Sequence, residues 1–365
     1  MKNEALSQAK SAKKDEFYTD YDVIAAEVGA YLDYDPDTFR GKTVLCNCDD
    51  PYESNFFQYF ALNFKRLGLK RLITTCYAGS PVQGTLFPLD WDNPKPKRVA
   101  HKLILTEVTD CNGDGKTDIA DVEWLIRNDK NVLTKLRNGS FDSKECVALL
   151  EEADIVVTNP PFSRFRDFVA LLMKHNKKFL IIGNLNAVTY KEIFPLFKDN
   201  RVWYGPSISS GDRKFYVPDD YELRAAGCGV DDKGRRYIRV KGVRWFTNLD
   251  HGRRHQPLKL MPMAANLKFS RHKEVRGKAA YARYDNYDAI EVPYTDAIPA
   301  DYTGVMGVPV TFLDKYCPEQ FEIIDAREVA LYDKQKGKNT YLIKDADGTI
   351  GGKPTYARIC IRKKQ

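Results

Sequence analysis

The segment DIVVTNPPF, residues 154–162, holds the residue types whose order could do chemistry. Its first half is a β-branched run that reads as a buried strand, and the run stops at Asn159. In open parallel sheets, ligands bind beyond the carboxyl ends of the strands. An Asn carbonyl placed there can accept a hydrogen bond from an exocyclic amine. Pro160 has no N–H, so its carbonyl can be presented without a competing donor beside it. Pro161 stiffens the same loop, and Phe162 offers a flat face on which a planar base can stack. Together these residues would hold an –NH2 group attached to a ring. The chemistry this suits is methyl transfer to an amino nitrogen. An aromatic amine is a poor nucleophile because its lone pair is delocalised into the ring. Two carbonyl acceptors favour a more pyramidal nitrogen and aim its lone pair, so positioning and electrostatics would supply most of the catalysis. The plainer reading is a proline-stiffened strand end.

Positioning such a loop needs a sheet, and the flanking sequence supplies one. Residues 43–48 (TVLCNC) and 71–77 (RLITTCY) read as buried strands around a helix over 54–67, with Ser54 as its cap. This is a crossover unit of a parallel sheet. Helical spacing also marks 22–32, 121–128, 143–152, 165–175 and 191–198, and strands are expected at 102–108, 154–158 and 178–183. The alternation predicts a doubly wound α/β sheet. From about residue 200, Gly, Arg and Tyr become frequent and helical periodicity fades, so a boundary is expected there.

The chain has 365 residues, 43% hydrophobic and 29% charged. It reads as globular, with one large α/β domain and a smaller region. No apolar run is long enough to cross a bilayer, and the basic N-terminus lacks the apolar core of a secretory signal, so a cytoplasmic protein is expected. The eight cysteines contain no Cys-x-x-Cys pair, so neither a zinc site nor a disulfide framework is indicated. Net charge is +7, and residues 201–280 hold 18 Lys/Arg against 8 Asp/Glu. That window suits a polyanion partner or a solvated basic surface.

The stretches DEFYT (15–19), VLCNCDDPYESNF (44–56), DIVVTNPPFSRFRDFV (154–169), KKFLIIGNLNAVTYKEIFPL (177–196), RWFTNLD (244–250), YDNYDAIEV (284–292) and GVMGVPVTFLDKYCPEQFEI (304–323) together resemble the EcoRI-type adenine-specific DNA methyltransferase family. The resemblance runs from about residue 13 to the end. It implies a class I methyltransferase, Rossmann-like sheet with a C-terminal DNA-recognition region, and S-adenosylmethionine as methyl donor. It further implies duplex DNA as partner, an adenine flipped from the stack as acceptor, and a cognate restriction endonuclease acting on the same site. The division expected is a basic arm over 1–14, a cofactor and catalytic domain over 15–200, and target recognition over 201–365, in a monomer. Asn159, Pro160, Pro161 and Phe162 become the catalytic loop. RNA adenine or protein glutamine methylation, or a DNA-binding protein with a decayed cofactor site, are the alternatives.

For the cofactor, the resemblance points to Phe17, Tyr18 and Thr19 as an aromatic–Thr cover, and to Asn47, Asp49 and Asp50 near the methionine amino group. The turn after the first strand, Asn47-Cys48-Asp49-Asp50-Pro51, lacks the glycines that usually let backbone approach a cofactor. Asp49 or Asp50 as a helix cap is the alternative there. Phe141 could stack on the cofactor's adenine and Asp142 accept from its amine, or both could belong to a loop and cap. Arg235, Arg236, Arg239, Arg244, Arg253 and Arg254 are the candidates for phosphate or guanine contacts.

A second motif is DCNGDGKTDIAD, residues 110–121. Asp110, Asn112, Asp114, Asp118 and Asp121 fall at positions 1, 3, 5, 9 and 12 of a loop, with Gly115 at position 6. That spacing resembles a calcium loop. Asp in place of Glu at position 12, and a strand rather than a helix before the loop, depart from the pattern. A structural calcium site and an Asp/Gly-rich turn both stand as readings.

Overall fold

The computed structural model describes residues 19–48, 54–76, 100–111, 113–115, 118–128, 133–209, 211–217, 227–232, 234–331, 341–344 and 346–364. The basic arm, Phe17, Tyr18, Asp49, Asp50 and Asn112 lie outside the described residues. The chain forms two compact units, one of residues 1–187 and 210–249, the other of 188–209 and 250–365.

The first unit opens with α1 (Tyr21–Leu32), whose N-cap Asp20 accepts from Asp22 N–H at 3.2 Å. The strand β1 (Thr43–Asn47) is buried along its whole length, as a central parallel strand covered on both faces must be. Helices α2 (Asn55–Leu62) and α3 (Phe64–Leu67) follow. Ser54 caps α2 as its sequence suggests, its Oγ accepting from Phe56 N–H at 3.1 Å. Next come β2 (Arg71–Cys76), β3 (His101–Leu105), α4 (Ile119–Asn128), β4 (Leu133–Lys135), α5 (Lys144–Glu152), β5 (Ile155–Thr158), α6 (Phe165–Lys174) and β6 (Lys178–Asn184). On α6 the buried residues are Phe165, Phe168, Val169 and Leu172, the i, i+3, i+4, i+7 stripe of a helix lying on a sheet.

Within this unit the strand order is β4-β3-β2-β1-β5-β6-β11, where β11 is Val243–Thr247. The strands β2, β1, β5 and β6 are parallel. Both flanks depart from an all-parallel expectation: β3 and β4 add antiparallel on one side, and β11 adds antiparallel to β6 on the other. The sheet is therefore mixed, and its parallel centre is that of a class I methyltransferase fold. Register is fixed at its base by side chains. Asp154 accepts from Thr43 N–H at 2.7 Å, and Asn248 bridges Phe179 N–H (2.8 Å) and the Lys177 carbonyl (2.9 Å) where β11 leaves β6.

The antiparallel strand β11 also corrects the domain division. A single crossing near residue 200 is not what the chain makes. Residues 210–249 return to the first unit because β11 completes its sheet. They carry with them a small sheet of β8 (Asp212–Tyr216), β9 (Gly229–Val230) and β10 (Arg236–Lys241).

The second unit includes β7 (Trp203–Tyr204), α7 (Phe194–Lys198) and α8 (Met263–Phe269). The helix expected over 191–198 begins only at Phe194, with Pro195 in its first turn, where the missing N–H costs no hydrogen bond. A four-stranded sheet runs β12 (Ile290–Glu291), β13 (Met306–Val308), β17 (Ile359–Lys363) and β14 (Phe321–Ile324), after the small hairpin β15 (Thr349–Ile350) and β16 (Lys353–Pro354). Inside it Glu291 accepts from Arg358 at 2.6 Å and from the Tyr284 hydroxyl. Burial first, and the Glu291 charge second, hold the Tyr284 phenol well above its ordinary pKa. No described helix is long and apolar enough to cross a membrane.

Candidate active site

The carboxyl ends of β1, β2 and β5 meet at one point, and hydroxyls tie them together. Thr75 of β2 donates to Asn47 Oδ1 at 2.7 Å. Thr158, the last residue of β5, donates to the Asn47 carbonyl oxygen. Thr74 donates to the Cys46 carbonyl at 3.1 Å. Asn47, Thr75, Thr158 and Asn159 are all buried. Asn159 is thus delivered to the carboxyl edge from a strand end whose position is set by two neighbours. Its loop then turns sharply. Arg164 N–H closes on the Pro161 carbonyl at 3.0 Å, a single 3-10 turn over Phe162–Arg164. The Pro160 carbonyl stays outside that turn's own hydrogen bonding. Pro160 is buried, while Pro161 and Phe162 are half-buried.

The missing glycines of the first turn have a structural answer. Cys48 itself adopts φ 73°, the left-handed conformation glycine would supply. Cys48 carries some backbone strain there.

Thr19 lies at the start of α1, and its backbone carbonyl accepts from Asn55 Nδ2 at 2.7 Å. This pins the segment before α1 to the helix that follows β1. Thr19 Oγ1 is buried and has no hydrogen-bond partner among the described residues. A buried hydroxyl in that state is costly unless a ligand completes it. Together with Asn47 it makes the first-strand end fit a polar cofactor.

Phe141 and Asp142, suggested for the cofactor's adenine, both touch Arg164. The Phe141 ring is buried, edge-on to Phe168 at 5.0 Å, with the Arg164 guanidinium 4.4 Å from its centroid. Asp142 receives Arg164 Nη2 at 2.7 Å and the Ser140 hydroxyl. The hydrogen bond from Arg164, then that from Ser140, hold its carboxyl down at a pKa of about 2. Ser140, Phe141 and Asp142 therefore grip the residue two places beyond Phe162. Sequence reasoning passed over Arg164, although a basic residue just after the loop was visible.

The loop 110–121 folds on its own amides. Asp110 accepts from Gly113 and Gly115 N–H at 2.7 Å each and from Asp114 N–H at 3.2 Å, and Asp121 accepts from Cys111 (2.7 Å) and Asp118 (2.8 Å). Among the described residues no group of three or more His, Cys, Asp or Glu is arranged to hold a metal ion. Amides converging on Asp110 and Asp121 in this way serve an Asp/Gly turn and a calcium loop alike.

The six arginines scatter. Arg244 and Arg254 are corrections: both are buried, 3% and 9% exposed, and cannot meet a duplex from the surface. Arg244 sits within the sheet opposite Gly183. Arg254 is held in the second unit by Asp250 (3.2 Å), Asn200 (2.5 Å) and the Trp203 ring (3.6 Å). Arg253 donates to the Pro206 carbonyl. Arg236 is half-buried on the inner side of β10. Arg235 is paired with Asp231 at 2.8 Å, and Arg239 is exposed with no ion pair among the described residues.

The sequence profile of the family described as adenine-specific methyltransferase EcoRI matches residues 5–364. The chain belongs to this family. It is 41% identical to the type II methyltransferase M.EcoRI of Escherichia coli, over all of this chain and 97% of that one. It is 37% identical to the type II methyltransferase M.MpnI of Mycoplasma pneumoniae (99% and 98% of the two chains) and 35% identical to M.MgeORF184P of Mycoplasma genitalium (99% of each). No solved structure matches it significantly. The chain is an adenine-specific DNA methyltransferase, and Asn159-Pro160-Pro161-Phe162 stand at the carboxyl-edge constellation.

Proposed function

We propose that the methyltransferase acts on N6 of an adenine flipped out of duplex DNA, with S-adenosylmethionine as donor. The observation that carries this reading is the buried Asn159–Pro160 pair at the end of β5, locked through Thr158 to the Asn47–Thr75 junction. The cofactor, when bound, supplies an electrophilic methyl group on sulfur. Asn159 Oδ1 and the Pro160 carbonyl accept from the two N–H groups of the adenine amine and aim its lone pair. Phe162, half-buried, stacks on the base. As the new N–C bond forms, the nitrogen becomes acidic and gives up a proton to solvent, so no dedicated base is required. Most of the rate comes from fixed position and preorganised dipoles.

On the cofactor side, Asn47 has its carbonyl engaged by Thr75 and presents its amide N–H groups. Those donors suit the carboxylate of the methionine moiety better than its ammonium. Thr19 Oγ1, buried without a partner among the described residues, is a second polar group that the cofactor would satisfy. The relatives' type II names accord with a restriction endonuclease partner of the same specificity.

The test is tritium transfer from labelled S-adenosylmethionine to duplex DNA, RNA and protein acceptors in parallel. Duplex DNA should be the acceptor, and Asn159→Ala should lower kcat by at least about a hundredfold with the fold retained. Transfer that persists in folded Asn159→Ala protein would sink the role given to that side chain. RNA or protein as the sole acceptor would sink the substrate.

A further inference from the structure

The small sheet of the first unit has two unlike faces. Across β8 and β10, Tyr216 lies opposite Tyr237, Phe215 opposite Ile238, Lys214 opposite Arg239, and Asp212 opposite Lys241. Residues directly opposed share a face. Phe215, Ile238 and Val240 are buried on the inner one. The outer face carries Lys214, Arg239 and Lys241, all exposed, around the half-buried Tyr216 and Tyr237. A solvated face ordinarily mixes both signs of charge. Here Asp212 is the acid of the paired strands, and it stands at one corner.

The tyrosines lie low and leave the cations accessible. Tyr237 leans across β9, where a Cβ on Gly229 would come within 2.9 Å of its hydroxyl. Lys214 Nζ is 4.5 Å above the Tyr237 ring. Arg235 projects from the same face, 3.9 Å over Tyr216, but Asp231 neutralises it.

This sheet is attached at the catalytic edge. Gly242, at φ 70°, joins β10 directly to β11, and Val243 pairs with Asn184 at the carboxyl end of β6. The strand β6 neighbours β5, which delivers Asn159. With strands about 4.8 Å apart, the sheet departs about 10 Å from the catalytic strand. Asp20, next to Thr19, lies close enough to act electrostatically on both Tyr216 and Arg235.

We propose that the outer face of β8 and β10 grips the phosphates of duplex DNA beside the flipped adenine, through Lys214, Arg239 and Lys241. This rests on the duplex-DNA reading above and assigns it a surface. The face is rich in point charge and poor in the amide and carboxylate groups that discriminate base edges, so its contribution is independent of sequence.

Phosphate contacts make a definite salt signature. Each one lost lowers the slope of log K against log salt by about 0.9. The full-length protein carrying Lys214→Ala, Arg239→Ala and Lys241→Ala together is titrated against a short duplex of random sequence over a salt series. Its Kd at moderate salt should rise tenfold or more, and the slope should fall by about 2 to 3. Wild-type Kd and slope in the variant would overturn the proposal. So would weaker binding at an unchanged slope, which marks the lost contacts as something other than phosphate. Thermal melting confirms the fold, and single substitutions, each expected to remove about 0.9 of slope, serve if the triple variant does not fold. Failure of the wild-type protein to bind duplex at all would instead strike the duplex-DNA reading, so the two failures are distinct.

Discussion

Removing the grip on Arg164 separates two roles for Asp142. The ion pair is short, 2.7 Å, but its side chains are 40% and 46% exposed. The carboxyl pKa of about 2, against 3.8, would convert to about 2.4 kcal/mol if taken at face value. Solvent screening at that exposure reduces it to roughly 0.5–1 kcal/mol. The Arg164–Phe141 contact adds about 0.5–1 kcal/mol. Neither sum threatens a fold held by about 5–15 kcal/mol. For the turn after Phe162, however, about 1.4 kcal/mol is a tenfold change in the ordered population.

Asp142→Ala is therefore expected to lower the single-turnover methylation rate about two- to fivefold at saturating cofactor, with S-adenosylmethionine affinity changed less than twofold. Arg164→Ala should lower it further, since it also removes the Phe141 contact, and the double variant should be little worse than Arg164→Ala. The depressed carboxyl also fixes the pH window. A folded pKa below the unfolded one stabilises above the unfolded value, and the effect is lost as pH falls through 3.8 toward 2. Between pH 5 and 9 the wild-type rate should carry no titration from Asp142. A tenfold or greater loss of cofactor affinity in Asp142→Ala, with Arg164→Ala at wild-type rate, would refute the grip and restore Asp142 as a ligand of the cofactor's adenine.

Four further outcomes follow from the geometry. Gly183→Ala places a Cβ 2.6 Å from the Phe165 ring and 2.8 Å from that of Phe246, so it should cost about 1–3 kcal/mol in denaturant unfolding and disturb the helix that follows the catalytic loop. Cys48→Gly should be tolerated within about 1 kcal/mol, whereas Cys48→Val, β-branched at φ 73°, should cost more than that and weaken cofactor binding in calorimetry. Thr19→Val should weaken S-adenosylmethionine binding roughly five- to tenfold while raising or preserving the melting temperature, since it removes a buried hydroxyl that the protein alone does not pair. His251, buried and donating to the Tyr204 carbonyl at 3.0 Å, has its pKa pushed down to about 4 by desolvation. Its stabilisation is present above 6.5 and is lost as pH falls toward 4, by at most about 3 kcal/mol in urea titrations of wild type, with a flatter profile in His251→Gln.

Much of this was legible in sequence because the relevant forces are local. The buried runs of β1 and β5, the Ser54 cap and the stripe on α6 each declare themselves within a dozen residues. The placing of Asn159 and Pro160 at the end of β5 belongs to the same class, since it follows from where a β-branched run stops. What escaped depends on partners distant in the chain. Nothing local says that Val243–Thr247 returns to pair with β6, so the boundary near 200 misjudged residues 210–249. Nothing local distinguishes Arg244, buried in that strand, from Arg239, five residues earlier on β10 and exposed. Phe141 and Asp142 look like ligands of a planar base because a ring beside a carboxylate is also what grips a guanidinium.

That last ambiguity bears on how the site works. The catalytic loop is held at both ends by different means. At its start, Thr158 locks the strand end to Asn47 inside the sheet, where burial makes each hydrogen bond costly to break. At its end, Arg164 is held by a solvent-exposed ion pair and a ring contact worth about a kilocalorie each. Asn159 and Pro160, proposed to hold the amine, therefore sit at the rigid end, while Phe162 sits toward the yielding one. A base arriving from a stacked duplex must displace something to enter, and the loop can open at the stacking ring without disturbing Asn159. Base entry and methyl transfer then place separate demands on one tetrapeptide, and loosening the Arg164 end should change the first before the second.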